Sequence, residues 1–303
     1  GIKGAKEALN DPDHPVVSIY TEDYAYKTLK FREHYSVLNK NNSKILFHQP
    51  TMPIKCGGAP QKILWLSESR WRELNVRKNM DIHFYTAAGV MFPPCEKFSN
   101  SLNEMRKEKE VDVHFQTKLV EVDKAKNLAV FQSLNDENEV TEVNYDFLHI
   151  VPPQVSFDFV AKSPLAAASG FVEADQYTLQ HPRYSNVFSV GDAAALPASK
   201  TAASAFSQIP CVVHNINQVS QGKKATAQYD GYGSCPLFTG DKKLLLAEFK
   251  YGGLPKETFT SHQEVPSKLF YYLKKEVFPR VYWRYASKGS WYGCNALKKP
   301  NFA

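Results

Sequence analysis

A strand–turn–helix order that repeats over residues 45–151 constrains the fold of this chain more than any other feature. Residues 45–47 are a short apolar run ended by a proline, and residues 62–74 have apolar side chains at helical spacing. The same order recurs at residues 82–85 and 98–106. Strands that alternate with helices in this way pair in parallel and bury both faces. The sequence therefore predicts an α/β fold with a parallel sheet.

The remaining elements follow from shorter patterns. Alternating residues in 119–123 and 128–131 predict a β-hairpin. Residues 186–192 predict a buried strand that ends in an acidic turn, and an alanine-rich helix is expected from about Thr201. Residues 244–251 predict an aromatic-rich strand.

The composition excludes several classes of protein. With 43% hydrophobic and 22% charged residues, the 303-residue chain has the composition of a globular protein. A net charge of +6 is too small to indicate nucleic-acid binding. Five scattered cysteines do not form a secreted disulfide framework, and no Cys/His spacing predicts a metal site. The longest apolar runs are shorter than the roughly 20 residues that span a bilayer, so any membrane contact is expected to be peripheral.

Two cysteine segments stand far apart in the sequence. Cys56 lies in Ile-Lys-Cys-Gly-Gly-Ala-Pro-Gln-Lys between a predicted strand and a predicted helix, and Lys55 and Lys62 flank it. Neighbouring cations and a helix start lower a thiol pKa and favour a nucleophilic thiolate, although a small buried residue at a tight turn fits the same position. Cys235 lies in Tyr-Asp-Gly-Tyr-Gly-Ser-Cys-Pro, which predicts an accessible loop. The other three cysteines match no redox motif and are predicted to be structural: Cys95, Cys211 and Cys294.

These two segments, with the Val190-Gly191-Asp192 turn between them, closely resemble the redox cysteines and flavin-contacting turn of the eukaryotic, mitochondrial sulfide:quinone oxidoreductases. The resemblance implies an α/β flavoprotein with two dinucleotide-binding domains, of the flavin disulfide reductase type, and C-terminal amphipathic helices. The family's opening flavin-binding strand and Gly-rich turn are missing, so the first Rossmann half is expected to be incomplete. The implied division is a remnant of the FAD domain (1–50), a second Rossmann-like domain (51–153), a returning FAD-domain segment (154–225) and a C-terminal redox and membrane region (226–303).

The resemblance also implies a reaction. Hydrosulfide would attack the sulfur of Cys235 in a bridge to Cys56, leaving a persulfide on Cys235 and a thiolate on Cys56. Electrons would then pass to FAD and on to ubiquinone, and glutathione or sulfite would accept the sulfur. Lys62 and Lys274 would stabilise anionic species, and Glu7 matches an acidic residue of the family. The implied cofactor-binding residues are Gly57, Gly58, Gly191, Asp192, Lys200 and Thr201.

Residues 267–291 mix aromatic side chains with lysines and arginines. This composition suits helices that lie in the headgroup region of a membrane, with aromatics inward and cations against anionic lipid. A helix that docks on the protein core with a solvated basic face is the alternative. Because ubiquinone lies in the bilayer, the resemblance implies a peripheral protein of the mitochondrial inner membrane.

Two other functions fit parts of the sequence. Since the FAD-binding opening is missing, the chain could be a truncated homologue or a fragment with a binding or assembly role, and it is expected to hold FAD weakly. An NADH:quinone reductase on the same scaffold is less consistent with the residues. That reaction needs a G-x-G-x-x-G fingerprint after a strand, which this sequence lacks, and needs no cysteine pair.

Overall fold

The computed structural model describes residues 1–34 and 40–302, which form two compact units. The first unit comprises residues 1–54, 58–153 and 238–242, and the second comprises residues 55–57, 154–237 and those from 243 onward. The finer division into four segments stays a prediction.

The first unit contains four helices and eight strands among its described residues. The helices are α1 (Ala5–Asn10), α2 (Glu22–Arg32), α3 (Ala59–Glu73) and α4 (Glu96–Glu108). The strands are β1 (Val16–Val17), β2 (Ser43–Gln49), β3 (Met80–Thr86), β4 (Asp112–His114), β5 (Thr117–Asp123), β6 (Leu128–Ser133), β7 (Val140–Asn144) and β8 (Phe147–His149).

A five-stranded parallel sheet organises this unit, with the strand order β1-β8-β2-β3-β4. In its central pair, Ile45 of β2 faces Ile82 of β3, and both residues are buried. The continuous apolar character of β2 arises because a central parallel strand is covered on both faces. The predicted parallel α/β fold is thus confirmed.

A separate three-stranded antiparallel sheet, β5-β6-β7, contains the predicted hairpin. Its buried residues Leu119 and Phe131 pack with Leu46 and Tyr85 of the parallel sheet in one hydrophobic cluster. The ring of Phe131 stacks on that of Tyr85 with centroids 3.7 Å apart. The core of the first unit therefore includes residues from both of its sheets.

Helix α3 illustrates how local sequence sets an element boundary. Gly58 precedes it as the N-cap and Pro60 occupies its first turn, where the missing proline N–H costs no intrahelical hydrogen bond. Trp65 and Trp71 are fully buried on its inner face, and the Trp71 indole N–H donates to the carbonyl of Arg32 at 2.8 Å. This confirms the helix predicted over residues 62–74.

The second unit is built from short strands and helices. Its helices are α5 (Asp158–Ala161), α6 (Ala202–Ser220), α7 (Lys268–Tyr272) and α8 (Phe278–Arg284), and a π-helical turn (Leu273–Val277) joins α7 to α8. Its strands are β9 (Val172–Glu173), β10 (Ala194–Ala195), β11 (Gly233–Gly240), β12 (Lys243–Lys250) and β13 (Leu254–Pro255), and the last three residues of β11 belong to the first unit. Strands β9 and β10 pair in parallel, and β11, β12 and β13 form a three-stranded sheet.

The prediction of a strand over residues 186–192 is wrong. Phe188 makes one isolated bridge with Gln180, and Gly191–Ala193 is a short 3₁₀ helix. Local bonds replace a ladder here, since the Val187 N–H donates to the carbonyl of Tyr184 at 2.9 Å. The apolar residues alone did not distinguish a strand from this compact turn.

Among the described residues, no helix combines the length and the apolar character needed to cross a membrane.

Candidate active site

The sulfur atoms of Cys56 and Cys235 lie 3.7 Å apart within the second unit. This separation exceeds a disulfide bond of about 2.05 Å, yet small side-chain rotations suffice to close it. Both residues are thiols in the structure. The two cysteine segments therefore lie in contact, as the family resemblance implied.

Cys56 has a left-handed backbone, with φ of 52°. Residues other than glycine rarely adopt this conformation, and it persists only where neighbouring contacts hold it. The N–H of Cys56 donates to the carbonyl of Lys200 at 2.9 Å, and the N–H of Lys55 donates to Oε1 of Gln154 at 2.7 Å. These bonds fix the backbone on both sides of the Lys55–Cys56 peptide and so fix the direction of the thiol.

The prediction that Cys235 lies in an accessible loop is wrong. Cys235 lies in strand β11 with only 3% of its surface exposed. The nearby Gly233 packs so closely that an added Cβ would lie 3.1 Å from both the Phe249 ring and Oγ of Ser204. The glycine that suggested a turn instead allows the close packing of a strand.

The acidic turn lies in the same unit. Gly191 has φ of +63°, and its N–H donates to Oε1 of Gln208 at 2.7 Å. A Cβ on Gly191 would meet only Ala205 at 3.7 Å, so the backbone angle, rather than space, requires glycine. The carboxylate of Asp192 is 48% exposed and lies 3.8 Å from Nζ of Lys55. This ion pair brings the acidic turn and the Cys56 segment together.

Two of the predicted cofactor-binding residues have visible structural roles. The buried ammonium of Lys200 donates to the carbonyls of Asp192 at 2.7 Å and Ala194 at 2.9 Å, and it lies 3.9 Å from the centroid of the Phe171 ring. Burial lowers the pKa of Lys200. Oγ1 of Thr201 accepts from the N–H of Ser204 and so caps α6. Their direct contact with a cofactor stays a prediction.

The residues of this turn fit a flavin. The exposed carboxylate of Asp192 has acceptor capacity for sugar-alcohol hydroxyls, and the 19-residue helix α6 begins at Ala202, after β10. The first N–H groups of any helix lack intrahelical acceptors and favour a partially negative ligand atom. The donor and acceptor set is therefore the one that the ribityl chain and ring of FAD require.

A buried polar network lies next to Cys235 in the sequence and had no sequence signal. The Tyr229 hydroxyl donates to the carbonyl of Tyr232 at 2.6 Å, and the Tyr232 hydroxyl donates to Oε1 of Glu248 at 2.5 Å. Burial and the adjacent carboxylate raise the pKa of Tyr232. The network stabilises the chain immediately before β11. Polar residues at buried positions cannot be told from exposed ones by their spacing alone.

The remaining cysteines differ from the pair. Cys95 and Cys211 are buried, and burial raises the pKa of Cys211 to about 12. A thiol with such a pKa stays protonated and unreactive at neutral pH. Cys294 is half-buried and packs against the cluster that contains Tyr232. The structural role predicted for these three residues is consistent with their packing.

Four further predicted site residues lie in helical turns or at a helix end. Glu7 is exposed in α1, and Lys62 is half-buried in the first turn of α3, both in the first unit. Gly58, the N-cap of α3, has φ of −91°, so the left-handed residue of the segment is Cys56 itself. Lys274 is half-buried in the π-helical turn. The catalytic roles of Glu7, Lys62 and Lys274 stay predictions.

The C-terminal helices expose large apolar side chains. Leu269 is 63% exposed and Trp283 is 70% exposed, whereas Phe270 is buried. Several cations of the same segment are exposed as well: Lys268, Arg280, Arg284 and Lys288. The expected C-terminal helices follow one another directly, with the π-helical turn between them, and Pro279 lies in the first turn of α8, where it needs no intrahelical hydrogen-bond acceptor.

No protein-family model matches the chain. The structure superposes on the sulfide:quinone oxidoreductase from the bacterium Aquifex aeolicus with a TM-score of 0.70 at 17% identity, covering 95% of this chain and 66% of that one. A chain in the mitochondrial ATP synthase structure from Tetrahymena thermophila gives a TM-score of 0.75 at 27% identity, covering 90% of this chain and 66% of that one.

Three curated proteins named mitochondrial sulfide:quinone oxidoreductase align with nearly the whole chain. The protein from Schizosaccharomyces pombe is 44% identical over 99% of this chain, that from Dictyostelium discoideum 41% over 99%, and that from Mus musculus 37% over 98%. The chain spans 64–66% of the length of these relatives.

The parallel α/β fold and the facing cysteine pair are those expected of a flavoprotein of the disulfide-reductase type. Within that class, the curated relatives give the family directly. The chain belongs to the mitochondrial sulfide:quinone oxidoreductase family.

Proposed function

We propose that this chain provides the sulfide-oxidising cysteine pair and part of the flavin site of a sulfide:quinone oxidoreductase. The observation that supports it most strongly is the 3.7 Å separation of the Cys56 and Cys235 sulfurs. Two thiols that meet from distant segments, one on a constrained left-handed backbone and one in a buried strand, are arranged for exchange of a sulfur–sulfur bond.

In the oxidised state the two residues form a disulfide. Hydrosulfide attacks Sγ of Cys235, a new S–S bond forms there, and the Cys56–Cys235 bond breaks with its electron pair leaving on Cys56. The products are a persulfide on Cys235 and a thiolate on Cys56. A thiolate is the better leaving group when neighbouring positive charge stabilises it. Transfer of the outer sulfur to glutathione or sulfite then leaves both cysteines reduced.

FAD, when bound, would supply the two-electron oxidant for re-formation of the disulfide and a route for the electrons to ubiquinone. Asp192 would hold the ribityl chain, and Lys55 would keep that carboxylate in place. Lys200 would hold the turn in shape through the carbonyls of Asp192 and Ala194. Gly57 and Gly58 add no side chain that could obstruct the approach of a flavin ring.

Lys62 and Lys274 would stabilise anionic species at the flavin and the quinone, and Glu7 would act as an acidic group. The position of Lys274 in a π-helical turn supports this assignment, since single π-turns are frequent at functional sites. The exposed aromatics and cations of residues 267–291 would contact an anionic membrane surface, where ubiquinone is dissolved. The names of the relatives support a mitochondrial location, for which the inner membrane is the expected site.

A second function is an assembly role without catalysis. The resemblance to a chain in the Tetrahymena ATP synthase structure favours it, because that chain has this fold within a large mitochondrial complex. Retention of both cysteines at contact distance favours the enzyme instead.

The test is sulfide-dependent reduction of a short-chain ubiquinone by the purified chain with FAD supplied. Activity is expected for the wild type and for Cys95→Ser, and it should fall at least a hundredfold for Cys56→Ser and for Cys235→Ser. Equal activity in all four proteins would refute the role of the pair. FAD binding without any sulfide-dependent reduction would favour the assembly role.

A further inference from the structure

A cluster of ionisable side chains lies on one face of the parallel sheet of the first unit. Strand pairing sets Lys44 of β2 beside Asp81 of β3, and His83 of β3 beside Asp112 of β4. His114 follows two residues later on the same face of β4. The sequence predicted no metal site because these residues come from three separated segments. The sheet register brings them together.

The ligand atoms of Asp81, His83 and Asp112 all lie within 4.8 Å of one another. Nε2 of His83 is 2.9 Å from Oδ1 of Asp81. Two atoms bound to one ion at about 2.0–2.2 Å are separated by roughly 3 Å, so this spacing suits shared coordination. Imidazole and carboxylate groups together are ligands for zinc-class divalent ions.

The second nitrogen of His83 has a partner that suits metal binding. Nδ1 of His83 lies 3.1 Å from Nε2 of His114. The ring of Tyr85 stacks on that of His114 at 4.2 Å and fixes its orientation. A histidine that donates from one nitrogen to a fixed acceptor presents the other nitrogen to a metal.

Lys44 already places a positive charge in the cluster. Its ammonium is paired with Oδ2 of Asp81 and lies 3.4 Å from Nε2 of His83. The carboxylates of Asp81 and Asp112 carry two negative charges against the one positive charge of Lys44, and the remaining negative charge attracts a further cation. Because the Lys44 side chain is 38% exposed, it can move into solvent when a divalent ion enters.

We propose that Asp81, His83 and Asp112 bind a divalent transition-metal ion of the zinc class, with His114 as the outer partner of His83 and Lys44 as the competing internal cation. This site lies entirely in the first unit and is independent of the thiol chemistry. It predicts opposite effects for two substitutions at the same cluster. Removal of His83 weakens metal binding, and removal of the Lys44 charge strengthens it.

The test is calorimetric titration of Zn²⁺ into the full chain after treatment with chelator. The Cys56→Ser/Cys235→Ser double variant serves as the parent, because paired thiols bind zinc themselves. One saturable site is expected in the parent. His83→Ala and Asp112→Asn should each weaken it at least tenfold, His114→Gln by about tenfold, and Lys44→Gln should tighten it severalfold.

His262→Ala is the matched control, since His262 also lies near a carboxylate, Nδ1 to Oε1 of Glu264 at 3.6 Å, but outside the cluster. Asp112 is exposed, so its variant keeps the test valid even where His83→Ala does not fold. Absence of Zn²⁺ binding in the parent overturns the proposal. The proposal is also overturned if His83→Ala and Asp112→Asn leave the affinity for Zn²⁺ as unchanged as His262→Ala does. A weaker affinity for Zn²⁺ in Lys44→Gln overturns it as well.

Discussion

Tyr232 donates its hydroxyl hydrogen to the carboxylate of Glu248, and both side chains are buried. The other oxygen of that carboxylate accepts from Thr258 through its N–H at 2.8 Å and its hydroxyl at 2.7 Å, and from Nε2 of Gln263 at 2.8 Å. A buried carboxylate is tolerated only when its lone pairs are satisfied in this way. The network ties β12 to the segment that leads into Cys235.

Tyr232→Phe is expected to lower the free energy of unfolding by about 1–3 kcal/mol, because it leaves a buried acceptor without its donor. Urea denaturation followed by circular dichroism measures the change. Tyr184→Phe is the control, since Tyr184 is exposed, and its effect should stay within about 0.5 kcal/mol. Equal midpoints for the two variants would show that the network adds no stability.

Two buried histidines predict a loss of stability in acid. Burial lowers the pKa of both His48 and His149 from 6.5 to about 3. The folded state holds them neutral and the unfolded state protonates them, so their contribution is complete above pH 6.5 and is lost as the pH falls toward 3. Each histidine adds a slope of about 1.4 kcal/mol per pH unit within that window.

Urea midpoints measured between pH 7 and pH 4.5 check this prediction. His149→Leu removes one of the two titrating groups and should flatten the dependence on pH. His262→Ala, at an exposed position, should leave the dependence as it is in the wild type. The same slope in His149→Leu and the wild type would contradict the assignment.

The sequence predicted the elements whose physical cause is local. Parallel strands β2 and β3 and helix α3 follow from apolar periodicity, and the Thr201 cap follows from residue type. The family resemblance, rather than any spacing, indicated that Cys56 and Cys235 would meet.

What the sequence missed depends on contacts between distant residues. The burial of Cys235, the Tyr232–Glu248 hydrogen bond and the pairing of Lys55 with Asp192 arise only when separate segments pack together. The His83–Asp112 cluster likewise depends on strand register. Composition and periodicity report which residues are buried on average, but they carry no information on such partners.

The exposed apolar residues of α7 and α8 predict binding to anionic vesicles. Leu269→Ser/Trp283→Ser should reduce co-sedimentation with phosphatidylserine-containing liposomes several-fold, because it removes the most exposed apolar side chains of that segment. Added salt should weaken binding of the wild type, since each cation near the surface contributes about 1 kcal/mol. The control is Val155→Ser, which alters an exposed apolar residue elsewhere. Equal partitioning of both variants would remove the membrane role from this segment.

Mild oxidation should join the two facing thiols selectively. Non-reducing peptide mapping after treatment with a thiol oxidant is expected to show one dominant cross-link, between the peptides of Cys56 and Cys235, because their sulfurs are already in contact. Cys211, whose pKa burial raises to about 12, should stay reduced. A dominant cross-link that involves Cys95 or Cys294 would be inconsistent with the arrangement described.

The proposed function depends on attack of hydrosulfide at Cys235 with release of Cys56. Its most direct test is mass spectrometry of the oxidised chain after brief exposure to sulfide, with an alkylating reagent to trap both thiols and persulfides. One additional sulfur atom is expected on the peptide that contains Cys235, together with a simple alkylated thiol on Cys56. An additional sulfur on Cys56 with none on Cys235, or no sulfur on either, would contradict it.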